Sequence, residues 1–133
     1  GIVANAKSIC SQVSTAEQTP FVGYVRQHSD TLNSKDVYRF VKDGDSTAVR
    51  VHEFICERLA RAVGAVLNAL APDRVILGGG VMKAGEIIVD TVASFVPQYC
   101  WEAIWERCEI KAAEKGENAG VCGAAAMVFE EME

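Results

Sequence analysis

A short apolar run that ends in three consecutive glycines is the feature that most limits what this chain can fold into. The stretch is PDRVILGGGVMKAG, residues 72–85, and its RVIL part has the continuous apolar character of a buried strand. From Ala84 to Pro97 the apolar pattern is helical. Strand, glycines and helix in this order are how α/β folds build nucleotide sites, because backbone without side chains can approach a ligand closely.

Two common phosphate-binding motifs can be tested against these glycines, and neither fits. The Walker A pattern requires Lys and then Ser or Thr after its last glycine, but Glu86 and Ile87 follow Gly85. The dinucleotide pattern G-x-G-x-x-G, begun at Gly78, meets Lys83 where its third glycine belongs. The alternative is a tight turn with no ligand. Three ordered glycines, at about 0.5–1 kcal/mol each relative to Ala, favour a nucleotide contact over that alternative.

The rest of the chain alternates helical and strand-like patterns. Helices are predicted over Val3–Val13, Asp36–Lys42, about Ser46–Leu70 and the final GVCGAAAMVFEEME, with a second strand in CEIKAAE and a short helix or turn in YCWEAIW. Residues 14–34 are polar and turn-rich, with a brief extended or helical segment at PFVGYV. On the longest helix one apolar stripe is predicted, formed by Val51, Ile55, Leu59, Val63, Val66 and Leu70. The 133 residues are expected to form a single α/β domain.

Several residues that resemble catalytic groups have simpler structural interpretations. Asp43 and Asp45 flank Gly44 at a helix start, where carboxylates accept backbone N–H bonds, so we interpret them as caps. His52 lies within the long helix and is interpreted as a packed or surface histidine. Trp101 and Trp105 are spaced for one helical face, which favours core or interface packing over sugar stacking.

Charge, hydropathy and cysteine spacing exclude several classes of partner. The net charge is −5, and 13 Lys and Arg are dispersed among 18 acids, so no basic face for nucleic acid is expected. No apolar run is long enough for a membrane span. Five cysteines without a C-x-x-C spacing indicate reduced thiols and a cytoplasmic location, and with only His28 and His52 available no metal site is expected.

The stretch ENAGVCGAAAM gives a second group of candidate ligand contacts. Gly123 and Ala124 leave the start of the last helix nearly bare, which favours close helix packing. Asn118 and Ala119 precede that helix in a loop and are the better candidates for contact with a ligand.

Three pieces of the chain together resemble the ROK family, which comprises repressors, uncharacterised frames and sugar kinases. The pieces are KDGDSTAVRVHEF, LNALAPDRVILGGGVMKAG and GENAGVCGAAAM, in the order the family has them. VANAKSI is similar to the helix that follows the zinc-binding segment of the family. The resemblance covers nearly all of the chain from Asp36 to Met127.

The resemblance implies an actin/hexokinase-like (ribonuclease H-like) fold, with ATP and a sugar bound between two α/β lobes. This chain, residues 1–133, would be the C-terminal, nucleotide-binding lobe of a glucokinase-like enzyme, and its expected partners are the N-terminal lobe, the nucleotide, the sugar and a second copy in a homodimer. ATP and Mg²⁺ are the implied cofactors. The expected nucleotide-binding residues are Gly78, Gly79, Gly80, Val81, Asn118 and Ala119.

Motifs that the family uses for catalysis are missing from this chain. They are the D-x-G-x-T phosphate loop, the E-x-G-H segment, the catalytic Asp and the Cys-rich zinc segment. The chain also opens inside a helix without an initiator Met, which suggests a piece of something longer. We therefore expect no catalytic or metal-binding residue here and no activity of the chain alone. Two alternatives remain open: the sugar-sensing body of a ROK repressor, and a non-catalytic assembly module.

Overall fold

The computed structural model describes residues 1–79 and 86–113, and the chain divides into two compact units, residues 1–62 and 63–133. In chain order the elements are α1 (Ile2–Gln12), α2 (Pro20–Gln27), α3 (Ser34–Lys42), α4 (Ser46–Leu70), β1 (Arg74–Leu77), α5 (Glu86–Phe95), α6 (Glu102–Trp105) and β2 (Glu109–Ala112). The 25-residue α4 belongs to both units. Among the described helices, none combines the length and apolarity needed to cross a membrane.

The first unit is helical, with α1 packed against α2 and α3. Its core consists of apolar side chains from all four helices, chiefly Ala6, Phe21, Val22, Val37, Ala48 and Val51. The PFVGYV segment is a helix, since Thr19 caps it by accepting from the backbone N–H of Val22 and Pro20 occupies its first position. The ring of Phe21 lies 5.3 Å from that of Phe40, which joins α2 to α3.

One carboxylate, that of Asp45, caps two helices at once. Its Oδ1 accepts from the backbone N–H groups of Thr47 and Ala48 at 3.0 and 3.1 Å, at the start of α4. The same oxygen accepts from the Thr19 hydroxyl at 2.9 Å, and Oδ2 accepts from the backbone N–H of Phe21 at 3.0 Å. The predicted cap of α4 is therefore confirmed. Asp45 additionally fixes the start of α2, which is 24 residues away along the chain.

The turn between α3 and α4 is a Schellman motif centred on Gly44. Gly44 has a φ of +77°, and the backbone N–H groups of Gly44 and Asp45 donate to the carbonyls of Val41 and Phe40 at 3.1 and 3.0 Å. Asp43 is the last residue of this helical turn and is exposed, so it does not cap the start of a helix. Our interpretation of Asp43 as a cap was wrong, because Gly44 and Asp45 alone end α3 and begin α4.

The apolar stripe predicted for α4 is wrong at its C-terminal end. Val66 and Leu70 are 45% and 74% exposed, whereas the predicted Val63 is buried together with Leu67, which the stripe did not include. Gly64 shows why the buried side is shifted. A Cβ at Gly64 would lie 2.7 Å from both the Cβ and the carbonyl oxygen of Tyr99. The segment at Tyr99 therefore packs closely against α4, and it can do so only on the side of the helix where Gly64 has no side chain.

In the second unit the strands β1 and β2 form a parallel pair with α5 packed against β2. Ile88 and Val92 of α5 are buried, together with Val96 in the 3₁₀ turn that follows. Asn68 ties α4 to the segment beyond that turn. Its Nδ2 donates to the Tyr99 carbonyl at 3.0 Å, and its Oδ1 accepts from the backbone N–H of Trp101 at 3.2 Å.

Replacing Asp45 should destabilise the first unit far more than replacing its neighbour Asp43. Asp45→Ala removes acceptors from two helix starts and one hydroxyl, and we expect it to lower the free energy of unfolding by about 2–3 kcal/mol. The matched control Asp43→Ala should change it by less than about 0.5 kcal/mol. Urea denaturation followed by circular dichroism measures both, and equal effects of the two substitutions would contradict the shared cap.

Gly64→Ala should lower stability although alanine is the better helix former. The propensity gain is about 1 kcal/mol, but the new methyl group would overlap Tyr99, and overpacking costs about 1–3 kcal/mol. Gly23→Ala is the matched control, because at this position within α2 the new Cβ meets only the flexible Gln18 side chain, at 3.4 Å. Thermal unfolding should give a lower Tm for Gly64→Ala and an unchanged or higher Tm for Gly23→Ala. A stabilised Gly64→Ala variant would show that the contact with Tyr99 is not tight.

Candidate functional site

The candidate site lies at the edge of the sheet where both strands end. Because β1 and β2 run parallel, with Leu77 opposite Ala112, their carboxyl ends emerge at the same edge. The backbone N–H of Ala113 donates to the Leu77 carbonyl at 2.8 Å, which continues the pairing to the last residue of β1. In open α/β sheets this edge is where ligands bind.

An ion-pair network fixes the opposite end of the strands. Glu109 accepts from Arg74 at 2.9 Å and from Lys111 at 2.7 Å, and its own backbone N–H donates to the Asp73 carbonyl at 2.9 Å. The hydrogen bond from Lys111, with the nearby positive charge of Lys111 and Arg74, lowers the pKa of the Glu109 carboxyl. These side chains are exposed and add little stability. They do favour one register of the strands over its neighbours.

Gly78 and Gly79 follow β1 and have different reasons for lacking a side chain. Gly79 has a φ of +101°, a conformation that other residues adopt only under strain. At Gly78 an added Cβ would make an ordinary contact of 3.6 Å with the Cβ of Ala113. The protein backbone therefore requires glycine at position 79, whereas nothing among the described residues requires it at position 78.

Of the predicted nucleotide-binding residues, Gly78 and Gly79 lie at this edge, while Gly80, Val81, Asn118 and Ala119 fall outside the described residues. Sequence reasoning missed Ala113, which lies beside Gly78 and immediately follows β2. The signal that would have found it is the pair of small residues that ends the strand pattern in EIKAA.

The N-terminus of α5 already carries a negative group. Glu86 is in the first turn of the helix, where the helix dipole favours a carboxylate. A phosphate bound at that terminus would meet this charge. Among the described residues, the glycine backbone at Gly78 and Gly79 is therefore the more suitable surface for a nucleotide.

A buried polar cluster in the first unit has the residue types of a catalytic site but is a packing feature. His52, Tyr38 and Cys56 are almost completely buried, with the His52 Nδ1 3.6 Å from the Cys56 sulfur and the His52 and Tyr38 rings 5.7 Å apart. Burial lowers the pKa of His52, raises that of Cys56 to about 11 and also raises that of Tyr38. All three side chains are thus held neutral, and His52 is the packed histidine that we expected.

Trp101 is the most exposed large apolar side chain in the described part of the chain, at 78%. Trp105 is half-buried, and α6 begins only after Trp101. Core packing of Trp101 was therefore a wrong expectation, and a role at an interface stays a prediction. Within residues 1–79 and 86–113, no three His, Cys, Asp or Glu side chains come together as a metal site.

Comparison with known proteins gives a family match over almost the whole chain. The ROK family profile matches residues 7–131. A glucokinase from Thermotoga maritima is 29% identical over 118 residues, and the match covers 81% of this chain and 37% of that protein. An N-acetyl-D-glucosamine kinase from Histophilus somni is 32% identical over 96 residues, covering 72% of this chain and 31% of the relative. The chain thus spans about a third of the length of these relatives.

Two solved structures share the fold. A candidate sugar kinase from Cytophaga hutchinsonii superposes with a TM-score of 0.80 at 17% identity, over 96% of this chain and 40% of its own. A ROK family transcriptional regulator, a homologue of the Escherichia coli MLC protein, gives a TM-score of 0.66 at 16% identity, over 82% of this chain and 26% of its own. The predicted actin/hexokinase-like α/β fold is confirmed by the family match and these superpositions.

The two glycines should respond differently to alanine. Gly79→Ala forces a side chain into a left-handed backbone conformation and should lower the free energy of unfolding by about 1–3 kcal/mol. Gly78→Ala should change it by less than about 0.5 kcal/mol, since the new methyl group has room. Chemical denaturation of both variants measures the difference. Equal destabilisation would mean that the backbone needs glycine at both positions.

Proposed function

Because the chain belongs to the ROK family, we propose that it is the nucleotide-binding, C-terminal lobe of an ATP-dependent sugar kinase. The N-terminal lobe would come from the rest of a longer protein, in keeping with the third of the relatives' length that this chain spans. The sugar would bind between the two lobes, and the expected substrate is a hexose such as glucose. Named relatives include kinases of glucose and of N-acetylglucosamine, so the choice between these sugars needs an assay.

The observation that carries this proposal is the turn at the carboxyl edge of the strand pair. Among the described residues, nothing lies within 4 Å of the position a Cβ would occupy at Gly79, and only Ala113 lies that close at Gly78. Backbone that is open to this degree, at the edge where α/β sheets bind ligands, suits the flat face of an adenosine and its nearest phosphate. Gly80, Val81, Asn118 and Ala119 would complete the nucleotide contacts.

In the whole protein the reaction would transfer the γ-phosphoryl group of ATP to a sugar hydroxyl. Catalysis of such transfers depends on positioning and on charges that stabilise the transferred group, to which Mg²⁺ contributes when it is bound to the nucleotide. The described residues at the glycine edge offer backbone rather than carboxylates, and do not form a Mg²⁺ site of their own. The role of this lobe is therefore to bind and orient the nucleotide, and alone it would not turn over ATP.

A sugar-sensing repressor is the second candidate, favoured by the superposition on a ROK transcriptional regulator. The body of such a regulator would carry the same fold without the need to bind ATP. An assembly role, with exposed Trp101 at a homodimer contact, is the third. Nucleotide binding separates the kinase from both alternatives.

We expect the chain to bind ADP, and Gly78→Ala to weaken that binding without loss of stability. A methyl group at position 78 fits the folded protein but occupies the space assigned to the nucleotide. Isothermal titration calorimetry should show a dissociation constant at least about tenfold weaker, which is about 1.4 kcal/mol. Gly23→Ala, in the first unit, is the control and should bind ADP as the unmodified chain does.

Two results would contradict the proposal at different levels. Absence of ADP binding by the folded chain, with dimerisation retained, would favour the assembly module. Sugar-dependent effects on DNA binding by the whole protein, without phosphorylation of any sugar in a hexose panel, would favour the repressor.

A further inference from the structure

A small cavity in the first unit lies between α1 and α2, and its volume is about 210 Å³. It is lined by Lys7, Cys10 and Ser11 from α1, and by Val25, Arg26 and Ser29 from α2 and the turn after it. Typical small-molecule pockets measure about 300–1,000 Å³, so this one suits a single polar group better than a nucleotide. None of its residues belongs to the glycine edge.

Both charged side chains that line the cavity are cations, although the chain as a whole is negative. Lys7 and Arg26 line it and no Asp or Glu does, whereas the net charge of the chain is −5. The Lys7 ammonium makes no hydrogen bond or ion pair with another residue in the described part of the chain, so its three donors point to no protein acceptor there. Ser29 adds a hydroxyl.

Arg26 is held in place by contacts that leave part of its guanidinium free. Nη2 donates to the Val13 carbonyl at 3.0 Å, and Nη1 lies 3.5 Å from the Gln18 side-chain oxygen. A guanidinium has five N–H donors, so about three remain for a ligand. The Ser11 hydroxyl, by contrast, already donates to the Ser8 carbonyl at 2.7 Å.

Negative charge also lies near the cavity, but the two cations that line it form no ion pair with an acidic side chain of the described residues. The carboxyl ends of α1 and α2 each carry about half a negative charge. Burial raises the pKa of the Cys10 thiol to about 11, so Cys10 is neutral at physiological pH. The Asp45 carboxylate also acts on Cys10, but its oxygens accept four hydrogen bonds at the two helix starts, and no ion pair joins it to Lys7 or Arg26.

We propose that this cavity binds a phosphate group, with Lys7 and Arg26 as its charged contacts and Ser29 as a neutral donor. The arrangement combines a fixed guanidinium, which is suited to the planar face of an oxyanion, with a mobile ammonium. The phosphate group belongs to inorganic phosphate or to a sugar phosphate. This inference does not depend on nucleotide binding, since the cavity lies in the other unit of the chain.

Titration of the ¹⁵N-labelled chain with sodium phosphate, followed by NMR, tests the proposal. Sodium chloride at matched ionic strength is the reference. We expect saturable amide shifts confined to residues 7–11 and 25–29, with a dissociation constant on the order of 1 mM. Lys7→Gln should weaken binding about tenfold and Lys7→Arg should retain most of it. The matched control Lys35→Gln, at an exposed position of α3, should behave as the unmodified chain.

Glucose 6-phosphate and glucose distinguish the sources of the phosphate group. Tighter binding of glucose 6-phosphate at the same amides would identify a sugar phosphate as the ligand, and equal binding would identify the phosphate group alone. Equal shifts from uncharged glucose would overturn the proposal. So would the absence of saturation with phosphate, or a Lys7→Gln variant that titrates like the unmodified chain. ADP binding, measured separately, changes none of these outcomes.

Discussion

Parallel pairing of β1 and β2 is the constraint on which the candidate nucleotide site depends. Antiparallel strands can be joined by a tight turn, but parallel strands require a crossover, and the chain supplies one in residues 78–108, which include α5. The crossover returns the chain so that both strands end at one edge. Gly78 and Ala113, which are 35 residues apart, become neighbours there. A site made of backbone rather than side chains requires that the two strands end side by side in this way.

The first unit depends in a comparable way on one half-buried acceptor, the carboxylate of Asp45. Asp45 holds the starts of α2 and α4 at the same carboxylate, and this places α2 against α1 with the small cavity between them. The carboxylate accepts hydrogen bonds at these helix starts and forms no ion pair with Lys7 or Arg26, the two cations that line the cavity.

Local turn chemistry made much of the fold predictable from sequence. Gly44 and Asp45 fix a helix end and a helix start through contacts within five residues, and RVIL and EIKA are strands as their patterns indicate. Contacts between distant residues were not predictable. The side of α4 that is buried follows from Tyr99 meeting Gly64, and the second helix capped by Asp45 starts 24 residues earlier in the chain. At the site, periodicity found the glycines but not Ala113.

The difference between Gly78 and Gly79 has a consequence for how the family can diverge. Glycine at position 79 is required by its backbone conformation, so a relative that does not bind a nucleotide would still be selected to keep it. If the proposed nucleotide contact is the reason for glycine at position 78, the space beside Ala113 would admit a side chain once that ligand was lost. The residue at position 78 would then act as a record of lost catalysis, readable in a relative whose regulatory role has replaced its chemistry.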